Sequence, residues 1–262
     1  MTGRAKKSRY RRGFPVAILV GFEESCAVVW QVYSGVAKAL ATVALSGTRR
    51  DDRAVYSFHE EVVDALRPAL KEGVRSIVVA SPVRTSFATD FLAHVQRHHA
   101  WLTRARGLGQ ATFGELVGSA IKPQDVAQLA RTPAFRRIIG ETTSEEADYA
   151  IETLEKSLGD ASGAPVLYSL EEAEDLIYGR WKDSNVKPVY LMFTDAYLAE
   201  RTRRGRLDRL LQISKNKGVR TRVVGGETPA GKRLSQMGGL VCLTQLGPAT
   251  RPRHTQQNPS RT

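Results

Sequence analysis

Three groups of residues in this 262-residue chain have types and spacings that could do chemistry. Gly226-Glu227-Thr228-Pro229-Ala230-Gly231-Lys232-Arg233 follows an apolar run and opens a helical pattern, the setting in which a glycine-rich loop wraps a phosphate with its backbone N–H groups. Arg233 stands where that loop needs a magnesium-binding hydroxyl, and Pro229 has no N–H to give. A helix-capping turn is therefore expected here, and nucleotide hydrolysis is not. His94 and His98 have the i, i+4 spacing of two zinc ligands, with His99 beside them, but no Glu adjoins the first and the sequence offers no third ligand. They are expected as surface histidines of one helix, with no metal bound. The third group is basic: Arg201, Arg203, Arg204, Arg206 and Arg209 crowd against only Glu200 and Asp208, and Lys215, Lys217, Arg220 and Arg222 follow. Such a face is either solvated or laid on a polyanion, where phosphates would relieve the repulsion among its cations.

The whole chain shares that sign. Lys and Arg number 39 against 27 Asp and Glu, a net charge of +12, so a polyanion is the first partner to consider. The longest apolar runs fall far short of a membrane span, and the basic N-terminal segment lacks a cleavage-site pattern, so a cytoplasmic protein without a membrane partner is expected. Cys26 and Cys242 lie far apart in apolar β-like runs, as packed core thiols do. Basic tails are expected at 1–15 and 248–262, where apolar periodicity is missing.

Between the tails, Val16 to Gly21, Cys26 to Val32 and Val36 to Leu45 read as three strands of an antiparallel meander, joined by short polar turns. Phe58, Val62, Leu66 and Leu70 recur at helical spacing behind a Ser57 cap with Glu60 three residues on, leading into a strand at Ile77. A helix over Thr85 to about His99 follows. In the second half, helices are expected from about Ser144, after Ser169 with its Glu172, and over Leu198 to Lys217. They alternate with strands at Pro188 to Phe193, Val219 to Val224 and Leu240 to Leu246, the pattern of an α/β sandwich.

Several segments, taken in order, resemble the Pelota and archaeal–eukaryotic class-one release factor superfamily. Ile77-Val78-Val79-Ala80-Ser81-Pro82, with Phe87 and Phe91 downstream, is similar to its strand, Ser-Pro-Gly and helix segment, with Val83 where Gly is usual. Gly107 to Val117 and Lys122-Pro123-Gln124-Asp125-Val126 resemble the end of its central domain. Leu170 to Gly179, Val189 to Asp195, Gly231-Lys232-Arg233-Leu234 and Gly238 to Leu243 resemble its C-terminal domain. The resemblance covers about Val16 to Leu246 and lacks the family's N-terminal Sm-like domain. It implies an α/β fold with a ribonuclease-H-like central domain at 16–140, followed at 141–247 by an α/β sandwich like that of kink-turn-binding ribosomal proteins.

It also implies binding in the ribosomal A site, contact with ribosomal RNA and the tRNA acceptor region, delivery by a translational GTPase, and a recycling ABC ATPase as partner. The expected role is non-enzymatic rescue or recycling of stalled ribosomes and mRNA surveillance, without a cofactor; the alternatives are a dormancy factor occupying the A site, or a peptidyl-tRNA hydrolase. Gly107-Leu108-Gly109-Gln110 invites the last comparison, but release factors carry their Gly-Gly-Gln loop between the third strand and the following helix. Here that interval, Ser46 to Arg53, offers Arg49, Arg50 and Arg53 instead. Those arginines are expected either as a basic tip against RNA phosphates or as a solvated turn paired with Asp51 and Asp52. Metal-dependent nuclease chemistry needs clustered carboxylates, and the first strand has none.

Overall fold

A computed structural model of the chain describes residues 15–33, 36–104, 110–159, 164–180, 185–200 and 204–247. The expected tails, apart from Pro15, lie outside these residues, as do Gly107 to Gly109, Arg201 and Arg203 and the side chain of Arg204.

Period-two alternation builds the first sheet. Strands β1 (Pro15–Phe22), β2 (Cys26–Tyr33) and β3 (Ala37–Ala44) form the expected antiparallel meander, and β4 (Ser76–Ser81) and β5 (Thr112–Val117) add in parallel, giving the order β3-β2-β1-β4-β5. Ile18, Val20 and Phe22 of β1, with Ile77 and Val79 of β4, face helices α1 (Asp52–Lys71), α2 (Phe87–His98) and α3 (Ala100–Thr103). Leu19, Val78 and Ala80 point the other way, toward α4 (Pro123–Leu129) and α5 (Pro133–Gly159). On that side the Trp30 indole donates to the Ala120 carbonyl at 2.7 Å, which satisfies its buried N–H.

The second sheet repeats the principle in the order β6-β9-β7-β8, from β6 (Val166–Leu167), β7 (Val186–Thr194), β8 (Arg220–Val224) and β9 (Leu240–Leu246). Leu191 and Phe193 pack on α6 (Leu170–Tyr178) and α8 (Arg204–Asn216); Tyr190 and Met192 pack on α5 and α9 (Pro229–Gln236). Ser169 and Glu172 make the expected capping box at α6.

Helix boundaries differ from the sequence reading in three places. Helix α1 begins at Asp52, where Asp51 accepts from the N–H groups of Arg53 and Ala54, rather than behind Ser57. Helix α5 begins at Pro133, not near Ser144, and runs without a break across residues 140 and 141. Its Phe135 and Ile138 join the first sheet's core, and its Ala147, Ile151 and Leu154 the second's. The helix expected over Leu198 to Lys217 is two: α7 (Asp195–Ala199), capped by Thr194, and α8.

Candidate nucleic-acid interface

Parallel pairing of β1, β4 and β5 sets their carboxyl ends at one edge of the first sheet, and the meander brings the end of β3 there too. Four loops therefore meet: 23–25, 45–51, 82–86 and 118–122. The expected arginine trio lies in or just after the second of them, but its members do different things.

Arg49 is half-buried. Its guanidinium lies 4.1 Å from the centre of the Phe87 ring and 5.0 Å from that of Phe58, and it donates to the carbonyls of Glu23 and Glu24. Burial lowers its pKa from the ordinary value, against the opposing pull of Glu24 and Asp90. This arginine closes the end of the core and joins its own loop to 23–25 and to helices α1 and α2. Arg50 and Arg53 are exposed beside it.

Sequence reasoning missed Arg84, in the loop after the Ser81-Pro82 pair. It is the one non-glycine residue among those described with a positive φ, 63°, and it is exposed next to Val83, which is 68% exposed. The signal was present as the Ser-Pro segment itself, but the conformation of a loop residue is not written in its type.

The second expected basic group lies on α8, where internal partners take part of the charge. Arg206 holds Glu174 with two hydrogen bonds, of 2.6 and 3.2 Å, and that carboxylate raises the arginine's pKa. Arg209 lies 5.9 Å from the Tyr178 ring, and Arg180 reaches the same ring at 5.1 Å. Lys215 bonds Glu72 at 3.0 Å, which ties α8 to the end of α1. Lys217 is exposed. Helix α1 has 20 residues and so spans about 30 Å. Its first turn adjoins Arg50 and its last adjoins Lys215, so the two basic groups meet opposite ends of α1 rather than forming one patch.

The phosphate-loop look-alike is a capping turn. Thr228 accepts from Gly231 N–H at 3.0 Å, Asp195 accepts from Gly226 N–H at 2.9 Å, and Thr228 N–H bonds Gly225 at 3.1 Å, so these donors face inward. A side chain at Gly231 would meet the Gly225 carbonyl at 2.0 Å. Gln110 donates to the Tyr149 hydroxyl on α5 at 3.0 Å, away from the arginine loop.

The histidines correct the sequence reading. His98 is exposed, but His94 and His99 are buried, and each places Nε2 on one oxygen of Glu60, at 3.0 and 2.8 Å. His59 is buried nearby, and desolvation pushes its pKa down to about 4.

No protein-family model and no curated protein sequence matches the chain. Solved structures do. The chain is similar to archaeal Pelota, as found in a model of ribosome-bound Pelota and ABCE1, over 92% of its length, with 16% identity and a TM-score of 0.52; it spans 65% of that protein's length. Similarity extends to S. cerevisiae Dom34, a termination-like factor in RNA quality control that interacts with Hbs1, at 16% identity, with 89% of this chain and 64% of that one covered and a TM-score of 0.46. Archaeoglobus fulgidus Pelota follows at 20% identity, with 91% and 67% covered and a TM-score of 0.39. The first of these matches carries the assignment: the chain has a Pelota-like α/β fold.

Proposed function

We propose that the chain is a non-catalytic, ribosome-binding translation factor that acts, in the cytoplasm, in the rescue or recycling of stalled ribosomes. The observation that carries this reading is the likeness across 92% of the chain to a Pelota bound to the ribosome with ABCE1. Two exposed basic regions, Arg50 with Arg53 and Arg84 at one end of the first domain and Arg209 with Lys217 on α8, support RNA as the contacted polymer. A translational GTPase and a recycling ABC ATPase are the proposed protein partners, met through the second domain. The work is positioning rather than bond breaking: Gln110 is engaged with Tyr149, and Lys232 follows a turn whose Gly226, Thr228 and Gly231 N–H groups are already engaged.

Co-sedimentation with ribosomes of the encoding organism over a salt series tests the reading. Saturable binding near physiological salt, weakened by Arg50→Ala with Arg53→Ala, is expected. Binding that disappears with modest salt and ignores the double substitution would reduce the charge to generic polyanion attraction.

A further inference from the structure

Nothing in the proposed role uses the Glu60–His94–His99 cluster. Its residues come from three places: Glu60 from α1, His94 from α2, and His99 from the break between α2 and α3. Two imidazole nitrogens converge on Glu60 Oε1, and all three ligand atoms lie within 4.8 Å of one another. Tetrahedral zinc with bonds of about 2.0–2.1 Å sets neighbouring donors about 3.3 Å apart. The separations to Glu60, 3.0 and 2.8 Å, are within about half an ångström of that spacing, and the two histidine nitrogens lie within 4.8 Å of each other, so adjustment of the side chains would admit an ion.

Donor type and burial agree with such a site. The histidine side chains are 6% and 9% exposed, whereas that of Glu60 is 37% exposed, so three protein ligands leave a solvent-facing position for water. Donation to a Glu60 carboxylate would use Nε2–H of each ring, whereas an ion would take the Nε2 lone pair, with the ring proton on Nδ1. Close by, His59 is 2% exposed, its ring centre 5.1 Å from that of His94, and its Nε2 has no hydrogen-bond partner among the described residues.

We propose that Glu60, His94 and His99 form a binding site for one zinc ion, which fastens the α2–α3 break to α1. The ion would replace two hydrogen bonds to a single carboxylate oxygen with three coordinate bonds, so its binding energy would add to the stability of this face.

The test uses the full chain, stripped of metal with a chelator and dialysed. Titration with zinc chloride by calorimetry is expected to give one site per chain and to raise the melting temperature by several degrees. Cobalt(II) is expected to give the visible d–d bands of a tetrahedral N/O site, without the strong near-ultraviolet band of a thiolate ligand. Glu60→Gln keeps the size of the side chain and is expected to weaken zinc binding at least tenfold, as is His99→Gln; both should remain folded by circular dichroism. His98→Ala and Cys26→Ser should bind as wild type does. Absence of a one-to-one zinc isotherm, full binding by folded Glu60→Gln and His99→Gln, or loss of binding in His98→Ala or Cys26→Ser would each overturn the assignment.

Discussion

Arg49 and Arg50 are consecutive and equally charged, yet one belongs to the core and the other to the surface. Arg49 exchanges water for three aromatic faces and two carbonyls, which a guanidinium can do because it is weakly hydrated and flat. Arg49→Ala should therefore lower stability by roughly 1–3 kcal/mol, while Arg50→Ala and Arg53→Ala stay within about 0.5 kcal/mol. Urea midpoints at constant slope measure this, and an Arg49 variant as stable as the parent would show that the stack contributes nothing. Arg84 poses the opposite question. A positive φ of 63° costs an ordinary residue about 1 kcal/mol, a cost glycine avoids. Arg84→Gly should thus stabilise the fold by up to about 1 kcal/mol. If the strain is kept for RNA contact, the same substitution should weaken ribosome binding. A rise in stability with no change in affinity would make Arg84 a bystander.

Helix α5 is the element that the rest of the arrangement depends on, because its first half packs on one sheet and its second half on the other. Its approach to β5 is close at Gly114, where an added Cβ would meet Ile138 Cγ2 at 2.3 Å, and Ile138 is β-branched and cannot swing aside cheaply. Gly114→Ala should destabilise by about 1–3 kcal/mol, and combining it with Ile138→Ala should cost less than the sum of the two single changes. Thermal denaturation of the four proteins tests this, and strict additivity would mean that the contact is not the cause. The same helix shows what sequence could not reveal. Strands were legible because the sheet is covered on both faces, so β1 reads as an unbroken apolar run with Ile18, Val20 and Phe22 in one core and Leu19 in the other. The first turns of α5 were not, since its apolar residues serve two different surfaces and form no single stripe. Thr142 and Thr143 look like breakers but bond back to Ile138 and Ile139 at 2.9 and 2.6 Å. The α1 start was misplaced by one competing cap, Asp51. Of the candidate site, exposed Arg50 and Arg53 were readable from charge. Glu60 meets histidines 34 and 39 positions away, and Arg49 is held by carbonyls 25 and 26 positions away; no local pattern encodes such meetings.

At the scale of the molecule, what matters is that two basic regions are held about one α1 length, roughly 30 Å, apart. Among the described residues, ties between the elements of the two sheets include continuous α5, the Lys215–Glu72 pair in which Glu72 also accepts from Gln31, and the buried Arg222 guanidinium donating to Ser76 at 2.9 Å. One phosphate or a short oligonucleotide cannot touch both regions, whereas a folded RNA surface can. Each phosphate neutralised adds about 0.7–0.9 to the slope of log affinity against log salt. Arg50→Ala with Arg53→Ala should therefore flatten the ribosome-binding slope by about 1.4–1.8, and Arg209→Ala with Lys217→Ala by a similar amount. On ribosomes the four changes together should flatten it by the sum, because both regions would be engaged at once. On a four-nucleotide RNA, which at about 3.4 Å per stacked nucleotide spans only about 14 Å, they should flatten it by no more than one pair does. A ribosome slope that ignores either pair removes that region from the interface. Equal behaviour on the short RNA and the ribosome would mean that the separation fixed by α1 and α5 has no part in recognition.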